Sequence, residues 1–178
     1  MPYIPPVNPE RMNEAQRARY DDELAKCGRV TNMKRTLLHV PQAFDAYMRW
    51  YDLFELCLAF VEERALLLFS YAISEGNRCL VCGTFFRKIL IDSGDDPDDP
   101  HLSEDESLLV DLGFSISEDP HNIDPGIYAA IKARYSDEQL VLLLGFAGIM
   151  AATNLFNTIA QVDLDEALYE YKRTRSYD

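Results

Sequence analysis

The chain has 178 residues, of which 30 are acidic and 17 basic, for a formal net charge of −13. That length supports one domain with a real core, and the acidic balance excludes non-specific binding to nucleic acid or to an anionic membrane surface, both of which need a basic face. The chain starts without the basic and apolar segments of a secretory signal, so its four cysteines are expected to be thiols and the expected compartment is the cytoplasm.

Residues 1–10 are proline-rich and suit an extended arm of the kind that lies across a neighbouring subunit. Residues 11–27 read as a polar helix, so that 1–36 form an arm and helix ahead of the main domain. Pro41, well placed in a first helical turn, opens a long helix in which Phe44, Met48, Tyr51, Phe54 and Leu58 recur at helical spacing. Trp50, Tyr51 and Phe54 make an aromatic stripe suited to the core or to an oligomer contact. A helix over 61–74 follows, with Glu62 and Glu63 in its first turn where the helix dipole favours them, and Ser74-Glu75-Gly76-Asn77 breaks it.

Next comes Cys79-Leu80-Val81-Cys82, two thiols spaced to react with each other. Asn77 is a suitable N-cap for a helix over 77–92, which puts Cys79 in its first turn and Cys82 one turn on along the same face. A helix N-terminus favours anions and the thiolate is the nucleophilic form, so the pair suits redox chemistry, with Cys79 the more acidic by position. The same residues also suit plain packing beside Phe85 and Phe86, which would raise their pKa, and the motif alone leaves both readings open. Arg78 is placed to support a thiolate and Arg87 to complement the helix C-terminus.

The acidic run over 92–101 does not follow the order of a calcium-binding loop and reads as a solvated linker. Ser103 with Glu106 forms a capping-box pattern, Asp124-Pro125 another helix start, and Ser136 with Gln139 opens a last helix whose residues 140–152 are apolar nearly all round. That stretch, shorter than a bilayer requires, is expected to be the central core helix, with Gly145 and Gly148 as points of close helix approach. His39 belongs to structure, and His101 and His121 to the surface. One Cys-x-x-Cys without a second such pair, or a matching histidine pair, is half of a zinc site, and no metal is expected. With no strand alternation, repeat or glycine-rich phosphate loop, the fold class is all-α.

Three separated stretches, in order, are similar to the alkylhydroperoxidase D-like and carboxymuconolactone decarboxylase family. They are Leu38-His39-Val40-Pro41, residues 62–82 ending in the dithiol, and Tyr135-Ser136-Asp137-Glu138-Gln139-Leu140 leading to Asn154 and Asn157. The resemblance implies an all-α, alkylhydroperoxidase D-like helical bundle over 37–165, followed by a C-terminal tail over 166–178, in a homo-oligomer. It implies a thiol-dependent peroxidase or dithiol-disulfide oxidoreductase in which Cys82 attacks a hydroperoxide or a small apolar substrate and becomes a sulfenic acid, and Cys79 resolves it as a disulfide. A dihydrolipoyl group or a thioredoxin-like protein would then be the reductant, and no organic cofactor is implied.

Peroxidase members place a histidine four residues after the second cysteine and a glutamate twelve before the first. Phe86 and Leu67 occupy those positions here, so their proton relay is missing. Glu75, one turn before Cys79, and Glu63 are the carboxylates nearest in sequence to stand in. Asn154 and Asn157 are assigned to buried backbone groups or a subunit contact. Two alternatives remain: a lactone decarboxylase-like lyase that does not depend on the thiols, and a non-catalytic small-molecule-binding homologue.

Overall fold

A computed structural model describes residues 2–173 of the chain. The described residues form eight α-helices, α1 (Glu14–Cys27), α2 (Asn32–Leu37), α3 (Pro41–Cys57), α4 (Glu63–Gly76), α5 (Leu80–Asp92), α6 (Glu104–Glu118), α7 (Pro125–Arg134) and α8 (Asp137–Ile159), with short 3₁₀ turns at Pro9–Arg11 and Glu166–Tyr171. The protein is all-α, with no strand among the described residues. Local chemistry sets most of the helix starts. Asn13 with Gln16, Ser103 with Glu106 and Ser136 with Gln139 close capping boxes, Thr31 and Asp124 cap α2 and α7, and Pro41 starts α3.

The central helix is α4, not α8 as expected. Nine of the 14 residues of α4 are buried, against seven of 23 in α8, because α4 packs against α5, α6 and α8 together. The close helix approach also falls elsewhere than expected. At Gly113 of α6 an added Cβ would lie 3.0 Å from the Ala72 Cβ and 3.1 Å from the Phe69 carbonyl oxygen, whereas Gly148 faces open space and Gly145 meets only Leu53 at 3.8 Å. Helix α8, at 23 residues, is long and apolar enough to cross a membrane by length and composition, contrary to the expectation from residues 140–152. Its inner face, Leu143, Phe146, Ala147 and Met150, is built into the bundle against α3 and α4. On its outer face Val141, Leu144, Leu155 and Ile159 stand exposed.

Two other segments depart from their sequence-based reading. The N-terminal arm folds back on its own chain: the Tyr3 and Ile4 amides donate to the Ala160 carbonyl, Val7 donates to Arg35, and the Val7 side chain is buried with Leu37, Leu38 and Phe44. The acidic loop is more than a solvated linker. Asp95 and Glu106 hold Arg64 between them, and Asp98 pairs with Arg87 and Arg173, which ties the loop to α4, α5 and the C-terminal segment. Arg87 therefore serves the loop and not its own helix terminus. Within the segment expected as a tail, Glu166–Tyr171 packs on α5 and buries Leu168; residues 174–178 lie outside the described residues.

Only 77–79 connect α4 to α5. Asn77 is the C-cap of α4, Cys79 is the N-cap of α5, and between them Arg78 takes φ +52°, left-handed backbone that side chains with a Cβ resist by about 1–2 kcal/mol. Arg78 is exposed, so its side chain offers no packing in return. Arg78→Gly is therefore expected to raise the melting temperature by about 2–4 °C, measured by thermal denaturation of the reduced protein, glycine's lower strain here outweighing its extra unfolded-state entropy.

Candidate active site

The tight α4–α5 turn decides the chemistry of the two thiols. Because Cys79 is the N-cap itself and not a first-turn residue, its Sγ takes the place of a capping oxygen and accepts the Cys82 amide N–H at 3.4 Å. Cys79 is also held by the Cys82 thiol, the Val81 amide and the Thr158 hydroxyl. That hydroxyl has one proton and stands 2.9 Å from the Asn154 carbonyl as well, so it serves one acceptor at a time. Donation from the Cys82 thiol and the helix amides pulls the Cys79 pKa below the ordinary thiol value against the opposing effect of burial. The partner moves the other way. Its hydrogen bond to Cys79, and then its burial, push the Cys82 thiol well up. Of the two, Cys79 is the thiol that gives up its proton first, with the Cys82 thiol donating to it. The greater acidity of Cys79 is the one that its position nearer the helix terminus implies.

Access is divided in the opposite sense. Cys79 is 1% exposed and Cys82 5%, and only Cys82 lines a cavity of about 230 Å³ between α3, α5 and α8. Asn157 of α8 lines the same cavity, and its Nδ2 lies 3.1 Å from the Cys82 Sγ. Asn154, one turn earlier, donates to the Ser74 hydroxyl at 3.2 Å and also reaches towards Cys82. Asn157 is therefore a thiol ligand, not the backbone or subunit contact expected for it. The Oδ1 atoms of both asparagines are buried without a partner.

Apolar and aromatic groups make most of the remaining wall. Trp50 stacks on Phe54 with ring centroids 5.1 Å apart and lies 6.1 Å from the ring of Phe86, and both Trp50 and Phe86 line the cavity. The Trp50 Nε1 is buried without a partner. Further from the thiols, Lys34 reaches the wall, paired with buried Glu23 and donating to the Tyr51 hydroxyl at 2.8 Å. Burial works to lower the Lys34 pKa, but Tyr51 and Glu23 outweigh it and the net shift is upward, so the ammonium stays charged.

The other sequence candidates are dispersed. Glu75 is half-buried on α4, its Oε1 2.6 Å from where a Gly83 Cβ would stand, and its Oε2 pairs with Arg173 at 2.6 Å. It does not line the cavity. Glu63 is exposed at the first turn of α4, the end remote from the thiols, and Leu67 packs on the core. His101 and His121 are exposed and neither lines the cavity, while the His39 Nε2 meets the Pro5 carbonyl at 2.9 Å. Cys57 is fully buried, which pushes its thiol up to about 11, and Cys27 sits at the outer edge of the cavity. Sequence reasoning missed Trp50, Lys34, Tyr51 and Thr158 as site groups. Only the aromatic stripe gave a signal, and it pointed equally to ordinary core.

No protein-family model matches the sequence, and no curated protein matches it significantly. Solved structures do. Bmp8, a debrominase in its apo form, superposes with a TM-score of 0.74 at 16% identity over 94% of this chain and 95% of that one. An uncharacterised peroxidase-related protein from Silicibacter sp. TM1040 gives 0.74 at 13% identity, covering 93% and 92% of the two chains. An alkylhydroperoxidase AhpD core, the peroxidase-related protein of Ralstonia eutropha JMP134, gives 0.71 at 17% identity over 94% of each. The chain has the all-helical fold shared by the alkylhydroperoxidase D-like, peroxidase-related proteins.

Proposed function

We propose that this protein is a dithiol peroxidase in which Cys82 attacks a hydroperoxide entering the aromatic cavity and Cys79 acts first as its base and then as its resolving thiol. The observation that carries it is the division of labour within the pair. Cys82 opens on the cavity, while Cys79, capped into the start of α5, lies behind it.

The proton on Cys82 passes along the hydrogen bond to the Cys79 thiolate, which leaves Cys82 as the nucleophile. The Cys82 sulfur attacks the terminal peroxide oxygen, the O–O bond breaks, and the departing alkoxide takes the proton now held by Cys79. Cys82 becomes a sulfenic acid and Cys79 is a thiolate again. That thiolate attacks the Cys82 sulfur, an S–S bond forms and hydroxide leaves. One thiol, one thiolate and one hydroperoxide give a disulfide, an alcohol and hydroxide, with charge and atoms balanced and the peroxide reduced by the two electrons of the pair. The Cys79 proton thereby does what the histidine and glutamate of the peroxidase members do, which makes Phe86 and Leu67 compatible with turnover. Asn157 Nδ2 steadies the Cys82 thiolate.

A dihydrolipoyl or thioredoxin-like thiol donor would return the disulfide to the dithiol, in keeping with a reducing compartment such as the cytoplasm. In the same reading, the apolar outer strip of α8 packs on a second copy of the chain.

Thiol-resolved mass spectrometry after brief exposure of the reduced protein to cumene hydroperoxide tests the proposal. The expected result is a Cys79–Cys82 disulfide formed well ahead of any change at Cys57, whose buried, high-pKa thiol is the internal standard. Equal slow oxidation of all the thiols would overturn the peroxidase and leave a binding protein.

A further inference from the structure

The walls of the Cys82 cavity specify a substrate as well as a reaction. Its volume of about 230 Å³ exceeds the roughly 150 Å³ of an apolar cavity that accepts benzene, but lies below the roughly 300 Å³ at which pockets for larger ligands begin. One ring with a short substituent therefore fits and fills it. Aromatic faces are presented by Tyr47, Trp50, Phe85 and Phe86, with Met48 and Met150 as adaptable filler between them.

At the reacting end the wall is formed by Cys82 and Asn157. Asn157 is 2% exposed and touches the Cys82 sulfur through its Nδ2 at 3.1 Å, so the sulfur is held in place where it opens on the cavity.

Charge is excluded by the same inventory. Lys34 is committed to Glu23 and Tyr51, and Asp165 accepts the Asn32 amide, so neither is left to pair with a charged ligand. Arg29, at the exposed rim, is too well solvated to draw an anion inside. From size, aromatic lining and charge together, we infer that the substrate is an uncharged hydroperoxide carried on a short side chain of a single aromatic ring, held with the ring against Trp50 and Phe86 and the peroxide against Cys82. The inference rests on the reading of the Cys82 cavity as the substrate site.

Trp50 is the only tryptophan in the chain, so its fluorescence reports the cavity directly. The reduced protein is titrated with cumyl alcohol, tert-butanol and benzoate, none of which oxidises a thiol. Cumyl alcohol should give a saturable change with a half-saturation at least tenfold below that of either other probe, since one buried ring separates it from tert-butanol and one charge separates benzoate from it. Disulfide formation should show the same preference, cumene hydroperoxide at least tenfold faster than tert-butyl hydroperoxide. Val81→Phe, which fills the cavity, should abolish the fluorescence response. Tyr47→Leu, a milder change for the event that the first does not fold, should weaken it about fivefold through the lost ring contact.

The failures separate. Saturable binding of cumyl alcohol without thiol oxidation by cumene hydroperoxide would keep the ligand class and overturn the peroxidase. Equal oxidation by both hydroperoxides, or benzoate binding as tightly as cumyl alcohol, would overturn the ligand class and keep the dithiol chemistry.

Discussion

Cys79→Ser slows formation of the sulfenic acid at Cys82 by about a hundredfold, the low end of what a positioned general acid-base group contributes. A thiol that only resolves acts after that step, and its loss leaves the step unchanged, so the size of the effect separates the two roles. The measurement is single-turnover trapping of the Cys82 sulfenic acid with dimedone, in the variant and in the parent protein. The pH dependence gives an independent readout. In the parent the pair loses its first proton below the ordinary thiol value, because Cys79 is held down by the Cys82 thiol and the α5 amides, so the trapping rate levels off at a lower pH than that of an ordinary thiol. With serine at 79 that acidic thiol is gone. Cys82 is released from the Cys79 anion but remains buried, so its pKa stays above the ordinary value and the trapping rate climbs only as the solution becomes alkaline. A variant with the parent's rate and pH profile would return the base to some other group.

Lys34→Met is the substitution with the largest expected cost in stability. Lys34 and Glu23 are 5% and 7% exposed and pair directly, so removing the ammonium strands a carboxylate in a site that burial has already desolvated. Such a loss costs about 3–5 kcal/mol, or a fall in melting temperature on the order of 10 °C for a chain of this size. The double variant Glu23→Leu/Lys34→Met removes both charges together and recovers most of the loss, and thermal denaturation of the three variants measures the coupling. The pair joins α1 to α2, and Lys34 continues to Tyr51 on α3. Its loss should therefore loosen the outer wall of the cavity while leaving the hydrogen bonds of the thiol pair, which belong to α5 and α8, in place.

Much of the helix plan was legible because capping and periodicity are local. Ser103 with Glu106, Ser136 with Gln139, Pro41 and Asp124 start helices through contacts within a few residues, and all of them do so in the structure. The α4–α5 junction was misread by two residues, because Asn77 is as good a cap by composition as Cys79. Which one caps is decided by a turn that places the Cys79 amide on the Ser74 carbonyl at 2.9 Å and forces Arg78 left-handed. The acidic run over 92–101 looked like linker because its partners, Arg64, Arg87 and Arg173, are remote in sequence. The identification of α8 as the central helix failed for a related reason: an apolar composition shows that a face can be buried, not whether the same chain buries it.

For the site, the sequence by itself determined that two thiols lie one helical turn apart at a helix start, that the histidine and glutamate of the usual relay are replaced by Phe86 and Leu67, and that the chain folds as helices. Those properties follow from neighbouring residues and from side-chain identity. Only the tertiary structure decided which thiol meets a substrate and which holds the charge. It brings Asn157 to the Cys82 sulfur across 75 positions of chain and sets Trp50 of α3 against Phe86 of α5, while α5 turns its first amides onto Cys79. A cavity and a shared proton are made by elements that pack together in space, and neither leaves a period, a cap or a spacing in the sequence.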